Sequence, residues 1–517
     1  MLRPACTAGF GRLTCFLIGL ALLLFFQRNV VADEPSEKPA AAAVAGISFS
    51  SQVAPILTKH CVACHGPKKP EGDFQLHTFA RLMKTGASEL PAVVPGKPDE
   101  SYLVELVTSD DADVRMPKEG EALAAADIEI VRRWIAAGAK FDGPDATAHM
   151  DSYLPKPAHP QPPQVYPRPA PVTALAFSPN GKVLATSGYH EVLLWDLDLS
   201  ATGSASADTA SGATGSTSPA SATDSASVST GRARGTPELE RRVQNIAQRI
   251  HAIAFNGDGS LMAVAAGTPG RLGEVKLFNP QTGELIADLG TFADEVFDVE
   301  FTRDGARLAA CGADRTIRIY DVDKRREIRR IEAHADWVMA VAWSPDGSLL
   351  ASAGRDKAAK LIDATSGTVL VTYPGHGEQV FDVIFSADGK QVFSAGRGRE
   401  LHRWGTDGKS TSKSDVRKKE TGPIVGRTRG DIIRLMLHGK NALAVSADGK
   451  LTEFDPSKDG REPVMVYEGA PPQAFAVALH EPTRRIAVGG FDGRVTMYEI
   501  GDAAPWQVFI AAPGFVK

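Results

Sequence analysis

Seven stretches in the C-terminal two-thirds of the chain repeat one pattern, and that repeat limits the fold more than any other feature. They are VTALAFSPNGKVLATSGYHEVLLWDL (172–197), IHAIAFNGDGSLMAVAAG (250–267), VFDVEFTRDGARLAACGADRTIRIYDV (296–322), VMAVAWSPDGSLLASAGRDKAAKLIDA (338–364) and VFDVIFSADGKQVFSAGRGRELHRWGT (380–406), followed by the more divergent IIRLMLHGKNALAVSADGKLTEFDP (432–456) and FAVALHEPTRRIAVGGFDGRVTMYEI (475–500). The aromatic residue before the first turn recurs at Phe255, Phe301, Trp343 and Phe385, in steps of 46, 42 and 42 residues. Each copy alternates apolar and polar residues, turns at a Gly-containing dipeptide, alternates again, and ends in a further apolar run. That is an antiparallel sheet of three or four strands per copy. A single small sheet leaves both faces bare, whereas radial stacking buries them, and seven units close a ring. Gly and Pro, 49 and 34 in 517 residues, suit such a turn-rich chain better than a helical bundle.

The copies resemble the WD40 family. Its Trp-Asp signature stands intact as Trp195-Asp196 and drifts to Tyr320-Asp321, Ile362-Asp363 and Trp404-Gly405. In the fourth copy His334, Ser352 and Asp356 match the family's structural His, Ser and Asp, while Ile362 replaces the Trp that completes their network. The resemblance implies an all-β seven-bladed propeller over 172–511 that serves as a protein-docking platform. Trp506 to Ile510 reads as a final outer strand, with Val165-Tyr166 as an alternative partner of the last blade. Residues 200–235, almost free of large apolar side chains, read as a disordered Ser/Thr/Ala insertion after the first copy.

Upstream the pattern differs. Arg3 and Arg12 precede an 11-residue apolar run, Phe16 to Phe26, and small residues follow at Val30-Val31-Ala32. A basic start, a short apolar core and a small residue at the cut describe a signal peptide over 1–32, with retention as a membrane anchor the alternative. The chain is therefore expected to be exported, to the periplasm or cell surface. Residues 33–46 read as a linker, and 144–171, rich in proline, as a semi-rigid tether. A net charge of −5 argues against nucleic acid as a partner.

Between linker and tether, 47–143 carries the chemistry. Of five cysteines, Cys6 and Cys15 fall in the signal peptide, leaving Cys311 in an apolar strand and the pair Cys61 and Cys64 in Cys-Val-Ala-Cys-His. Cys-x-x-Cys-His is the attachment motif of c-type haem. Thiols three apart on a helical turn each reach one vinyl group, and the following residue, His65, presents an imidazole to the iron. Phe49 to Lys59 reads as the preceding helix, capped by Ser50 or Ser51 with Pro55 in its first turn. Met116, in Arg115-Met116-Pro117, supplies the candidate sixth ligand, a soft thioether that raises the reduction potential. Met83, His60 and His77 are the other nearby donors. Ile128, Val131 and Ile135 then mark a helix with one apolar face that stops at Gly138. A thioredoxin-like disulfide lacks its βαβ surroundings, and zinc on His60, Cys61, Cys64 and His65 would need four ligands from one short stretch. Lys59, Lys68 and Lys69 form either a docking patch or a solvated face.

The stretches ILTKHCVACHG, VVPGKPDESYLVELV, RMP and IVRRWIAAGAKFDG resemble the cytochrome c domains that planctomycete bacteria attach to large secreted proteins. The resemblance implies a small all-α cytochrome c domain holding one covalent haem c, with thioethers at Cys61 and Cys64, His65 proximal and Met116 distal. No nucleophile–base pair or phosphate-cradling loop emerges from the repeats, and His190, His251, His402, His438 and His480 read as structural. The chain is thus expected to be multidomain, and an electron carrier with a redox partner protein rather than a catalyst. The alternative is a haem-bearing scaffold or sensor.

Overall fold

In a computed structural model of the chain the described residues are 47–515, apart from 63, 67–70, 119–120, 144, 151–157, 198–235, 408–423 and 459–461. The expected signal peptide (1–32), linker (33–46) and Ser/Thr/Ala insertion (200–235) lie outside them, as do Lys68 and Lys69. No described helix is long and apolar enough to cross a membrane.

Seven four-stranded antiparallel sheets, over 175–243, 249–292, 296–331, 338–373, 380–427, 432–467 and 474–510, form the blades of a propeller. Burial falls from the axis outward. In blade 3 the second strand, Arg307–Gly312, is buried along nearly its whole length, while the outer strand, Arg326–Ile331, is mostly exposed. Inner strands are covered on both faces by neighbouring blades, so they are largely apolar, with Asp298, Glu300, Asp382 and Arg434 as exceptions near the axis. Alternate residues of one strand serve different interfaces: Leu308 and Ala310 pack toward blade 2, Ala309 and Cys311 toward blade 4. Each of the seven interfaces thus has its own hydrophobic layer.

The Asp-Gly turns act as the sequence pattern requires. In blade 5 Ser386 Oγ donates to Asp388 Oδ1 (2.7 Å), and the Lys390 amide donates to the same oxygen (3.1 Å). Gly389 holds φ at +69°, which an L side chain adopts only with strain.

One detail differs from the sequence reading, and another, the final outer strand, agrees with it. The insertion falls within blade 1, because its outer strand, Glu238–Val243, resumes beyond the gap and pairs with Val192–Asp196. That strand is half-buried, with only Glu238 and Glu240 exposed, and carries no apolar alternation to betray it. The last outer strand, Pro505–Ile510, belongs wholly to blade 7, so the ring closes by packing of blade 7 on blade 1 around Val172, Leu175, Trp195, Met497 and Phe509. Tyr166 adds one backbone bond to Pro513 (3.0 Å) rather than a strand.

The N-terminal region is short and has few helices: α1 (Ala54–His60), α2 (Phe79–Leu82), α3 (Tyr102–Thr108) and α4 (Ala125–Ala136). A small all-α domain is therefore found only in part, since Gly- and Pro-containing loops make up much of it. Its core gathers Phe49, Leu57, Leu82, Val104, Trp134 and Ile135. Phe49 packs edge-on to Phe79 (ring centroids 5.0 Å) and lies 5.2 Å from Trp134.

Candidate functional site

Ser48 starts the first helical segment. Its Oγ accepts from the Ser51 amide (3.1 Å), while the Ser48 amide donates to Gln52 Oε1 (3.0 Å), a reciprocal cap. The cap is therefore Ser48, not Ser50 or Ser51, and a five-residue π-turn, Phe49–Val53, leads into α1 with Pro55 in its first turn. Past His60 the chain folds over: the amides of Cys61 and Val62 both donate to Leu57 O (2.9 and 3.2 Å), and those of Cys64 and His65 to Cys61 O (3.2 and 3.0 Å). Cys61 and Cys64 are free thiols on this turn. Burial first, then the neighbouring Cys64, pushes the Cys61 thiol up to about 12.

His65 is held from the far side of a loop. Its Nδ1 pairs with the Phe74 carbonyl (3.3 Å), its carbonyl accepts from the Leu76 amide (3.0 Å), and its ring meets that of Phe74 edge-on at 5.5 Å. An imidazole that donates Nδ1–H to a carbonyl is fixed in the tautomer whose Nε2 lone pair is available to a metal. Met116 comes from a separate loop that lines the same cavity. Its amide donates to Leu106 O (3.0 Å), fastening the Arg115-Met116-Pro117 loop to α3.

Cys61, Cys64, His65 and Met116 all line one cavity of about 690 Å³, walled largely by Phe74, Leu76, Leu103, Leu106 and Val107. Of the other donors weighed above, His60 lines it too; Met83 and His77 are not among its lining residues. Among the described residues no group of three or more His, Cys, Asp or Glu side chains is placed to hold a metal ion. The cavity has the size of a cofactor pocket, apolar walls, two thiols and a braced imidazole, and these residues fit a haem. Sequence reasoning missed the Phe74 brace, since a carbonyl carries no residue signature. It also missed the α3 wall, although Leu103, Leu106 and Val107 stand at helical spacing.

In the propeller, blade 4 holds His334 between Asp356 Oδ1 (2.9 Å, Nδ1) and Ser352 Oγ (2.8 Å, Nε2). Blade 5 carries the other half of that network: Trp404 Nε1 donates to Ser394 Oγ (3.0 Å), which also meets His376 Nε2 (2.7 Å). His190, His251, His402, His438 and His480 each engage a neighbouring carbonyl, carboxylate or hydroxyl. Burial lifts the Cys311 thiol well above its ordinary value. Around the axis Glu300, pushed up to about 8 by burial, accepts from the Trp343 amide (2.7 Å), and Asp382, pushed up to about 7, accepts from the Leu435 amide (2.7 Å). These carboxylates tie blade 3 to blade 4 and blade 5 to blade 6.

With that geometry in hand, comparison with known families defines two classes of module. The family model for Planctomycete cytochrome C matches residues 61–120, and that for the WD domain, G-beta repeat, matches 161–196, 283–321, 325–363 and 367–404. The chain thus joins a segment of the planctomycete cytochrome c type to a seven-bladed propeller with WD40 repeats. Each of the last three matches opens near the outer strand of one blade and ends on the third strand of the next, so the repeat runs one strand out of phase with the blades. No curated protein matches the chain.

Proposed function

We propose that this chain is an exported c-type cytochrome that carries electrons on one covalent haem and uses its propeller to dock a redox partner protein. The placement of Cys61, Cys64, His65 and Met116 around one haem-sized cavity is the observation that carries this reading. A bound haem would supply a one-electron iron couple. The Cys61 and Cys64 thiols would hold it by adding across its two vinyl groups, sulfur to one carbon and the thiol proton to the other, with no net oxidation. His65, steadied by Phe74, would offer its Nε2 and Met116 its thioether as ligands to the iron. Leu76, Leu103, Leu106 and Val107 would keep water away, and an apolar shell together with a thioether favours the reduced, less charged iron.

WD40 propellers generally mediate protein–protein contacts, which supports docking as the role of the ring. The test is expression with an export signal and the cytochrome c maturation machinery. Haem that stays with the polypeptide on a denaturing gel, a six-coordinate spectrum and a reversible one-electron titration are the results expected. A mature protein whose mass equals its amino acids alone overturns the reading.

A further inference from the structure

The turn between the second and third strands of each blade has one residue in the left-handed region. Around the ring that position is filled by His190, Gly270, Arg315, Lys357, Arg399, Gly449 and Gly493, with φ of 62°, 65°, 68°, 67°, 60°, 75° and 77°. Glycine holds this conformation without strain, and blades 2, 6 and 7 use it. Blades 3, 4 and 5 instead place a long cation there, and all three side chains are exposed. Nothing in the fold rewards that choice, since the turn's own bond, from this residue's amide to the carbonyl three before it, is the same with glycine: 3.2 Å for Arg315, Lys357 and Arg399, and 3.2 Å for Gly493. Backbone strain accepted at consecutive blades points to a use outside the fold.

The surroundings indicate what that use is. Arg271 and Arg397, both exposed, extend the arc, and none of the five cations is ion-paired with a described residue. Three carboxylates of the same loops are already engaged: Asp314 with Arg318 (2.9 Å), Asp356 with His334 (2.9 Å) and Asp336 with Arg355 (2.8 Å), while Glu332 and Glu378 are exposed. Inside the arc, β-bulges at the start of the innermost strands set Phe297, Met339, Phe381 and Phe475 at the same end of the ring. Phe297 lies 5.4 Å from Trp337, over which Arg355 stacks at 4.2 Å, and Phe475 lies 6.3 Å from Phe491, itself 56% exposed.

We propose that this end of the propeller docks an acidic protein segment bearing apolar side chains, with Arg315, Lys357 and Arg399 as its charge-reading residues. The inference rests on the docking role proposed above and names the partner's chemistry. Rim cations steer and select an acidic surface, and aromatic anchors inside the rim supply the contact energy. A nucleic acid fits less well, because the overall charge of −5 opposes a polyphosphate and the aromatic residues lie inside the arc rather than along it.

The test uses the haem-loaded full-length protein and a fluorescent 12-residue peptide of alternating Glu and Phe. Salt-sensitive binding is expected, weakened by about tenfold or more when Glu is replaced by Gln in the peptide, or in the protein variant R315G/K357G/R399G. Glycine is native to this turn in three other blades, so that variant keeps the fold. An unchanged thermal transition checks this, and R315N/K357N/R399N, whose residue also tolerates the left-handed region, serves as a second variant. Equal affinity for both peptides, equal affinity of both protein variants and wild type, or equal binding of a 12-nucleotide single strand overturns the proposal. Lost peptide binding with the haem spectrum intact affects the docking role alone, and peptide binding without haem sinks only the electron-carrier reading.

Discussion

The N-terminal segment and the propeller solve burial in opposite ways. The propeller spreads its core over seven interfaces, each fed by two blades, so no single side chain is indispensable. The segment 47–150 has one core and, beside it, a cavity of about 690 Å³ whose walls belong to the same short helices and loops. The difference teaches that the ring's layers are filled by its own side chains, whereas the segment keeps open space beside its core. Anything that binds only its folded form adds directly to its stability.

The strongest way to break this contrast is to remove the attachment. In C61S/C64S, haem resistant to denaturation should vanish completely, and the segment should melt in a separate, earlier transition while that of the propeller stays put. Haem staining on a denaturing gel and calorimetry check both halves. A propeller transition that falls together with the segment's would mean that the two regions are not independent.

Next in size is a matched pair of truncations. Trp134 and Trp404 are buried to the same degree, 1% and 2% exposed, and each donates its indole N–H, to Lys140 O (2.9 Å) and Ser394 Oγ (3.0 Å). Removing such a side chain costs about 3–5 kcal/mol. Against a domain total of roughly 5–15 kcal/mol, Trp134→Ala should unfold much of the small segment and disturb the haem spectrum. Trp404→Ala should lower the ring's melting temperature and leave the spectrum alone.

How far each region could be read beforehand follows from the same contrast. A ring of like units writes its pattern seven times, so Phe255, Phe301, Trp343 and Phe385 revealed the period, and even blades 2, 6 and 7 were visible without a complete family match of their own. Outer strands were harder: Glu238–Val243 is only half-buried and alternates little, which hid the fact that the insertion splits blade 1. In the segment, Cys61, Cys64 and His65 are legible because chemistry ties their spacing, and Met116 because its neighbours stand in a recognisable order. The Phe74 carbonyl behind His65 and the Ser48 cap depend on loop geometry that no residue type announces. Blade 5's His376 escaped notice because Gly398 stands where blade 4 has Asp356, although the 18-residue step from His to Ser is the same in both blades.

Met116→Ala sharpens the functional half of the comparison. Its loop is held to α3 by a backbone bond, Met116 N to Leu106 O, so the fold should survive loss of the thioether. The potential should drop by roughly a tenth of the ~0.8 V range that axial ligands command, and the visible spectrum should change. H60A should move neither, and a spectrum altered by H60A but not by M116A would transfer the ligand role to His60.

The smallest effect separates the two incomplete networks inside the ring. Blade 4 braces its histidine with Asp356, whereas in blade 5 the His376 ring lies 4.2 Å from that of His402. Burial first, then the neighbouring imidazole, holds His376 well below its ordinary value; burial also lowers His402, against the pull of Glu400. A histidine whose folded value is depressed binds fewer protons than in the unfolded chain, so its contribution is present above about pH 6.5 and is lost as pH falls through that value. The slope is at most about 1.4 kcal/mol per pH unit for each histidine. Thermal melts of the propeller between pH 7.5 and 5 should therefore show a decline that H376N reduces. H334N, which removes the blade-4 pairing with Asp356 instead, is the control. An identical pH dependence in H376N and wild type would show that the two blades meet acid alike.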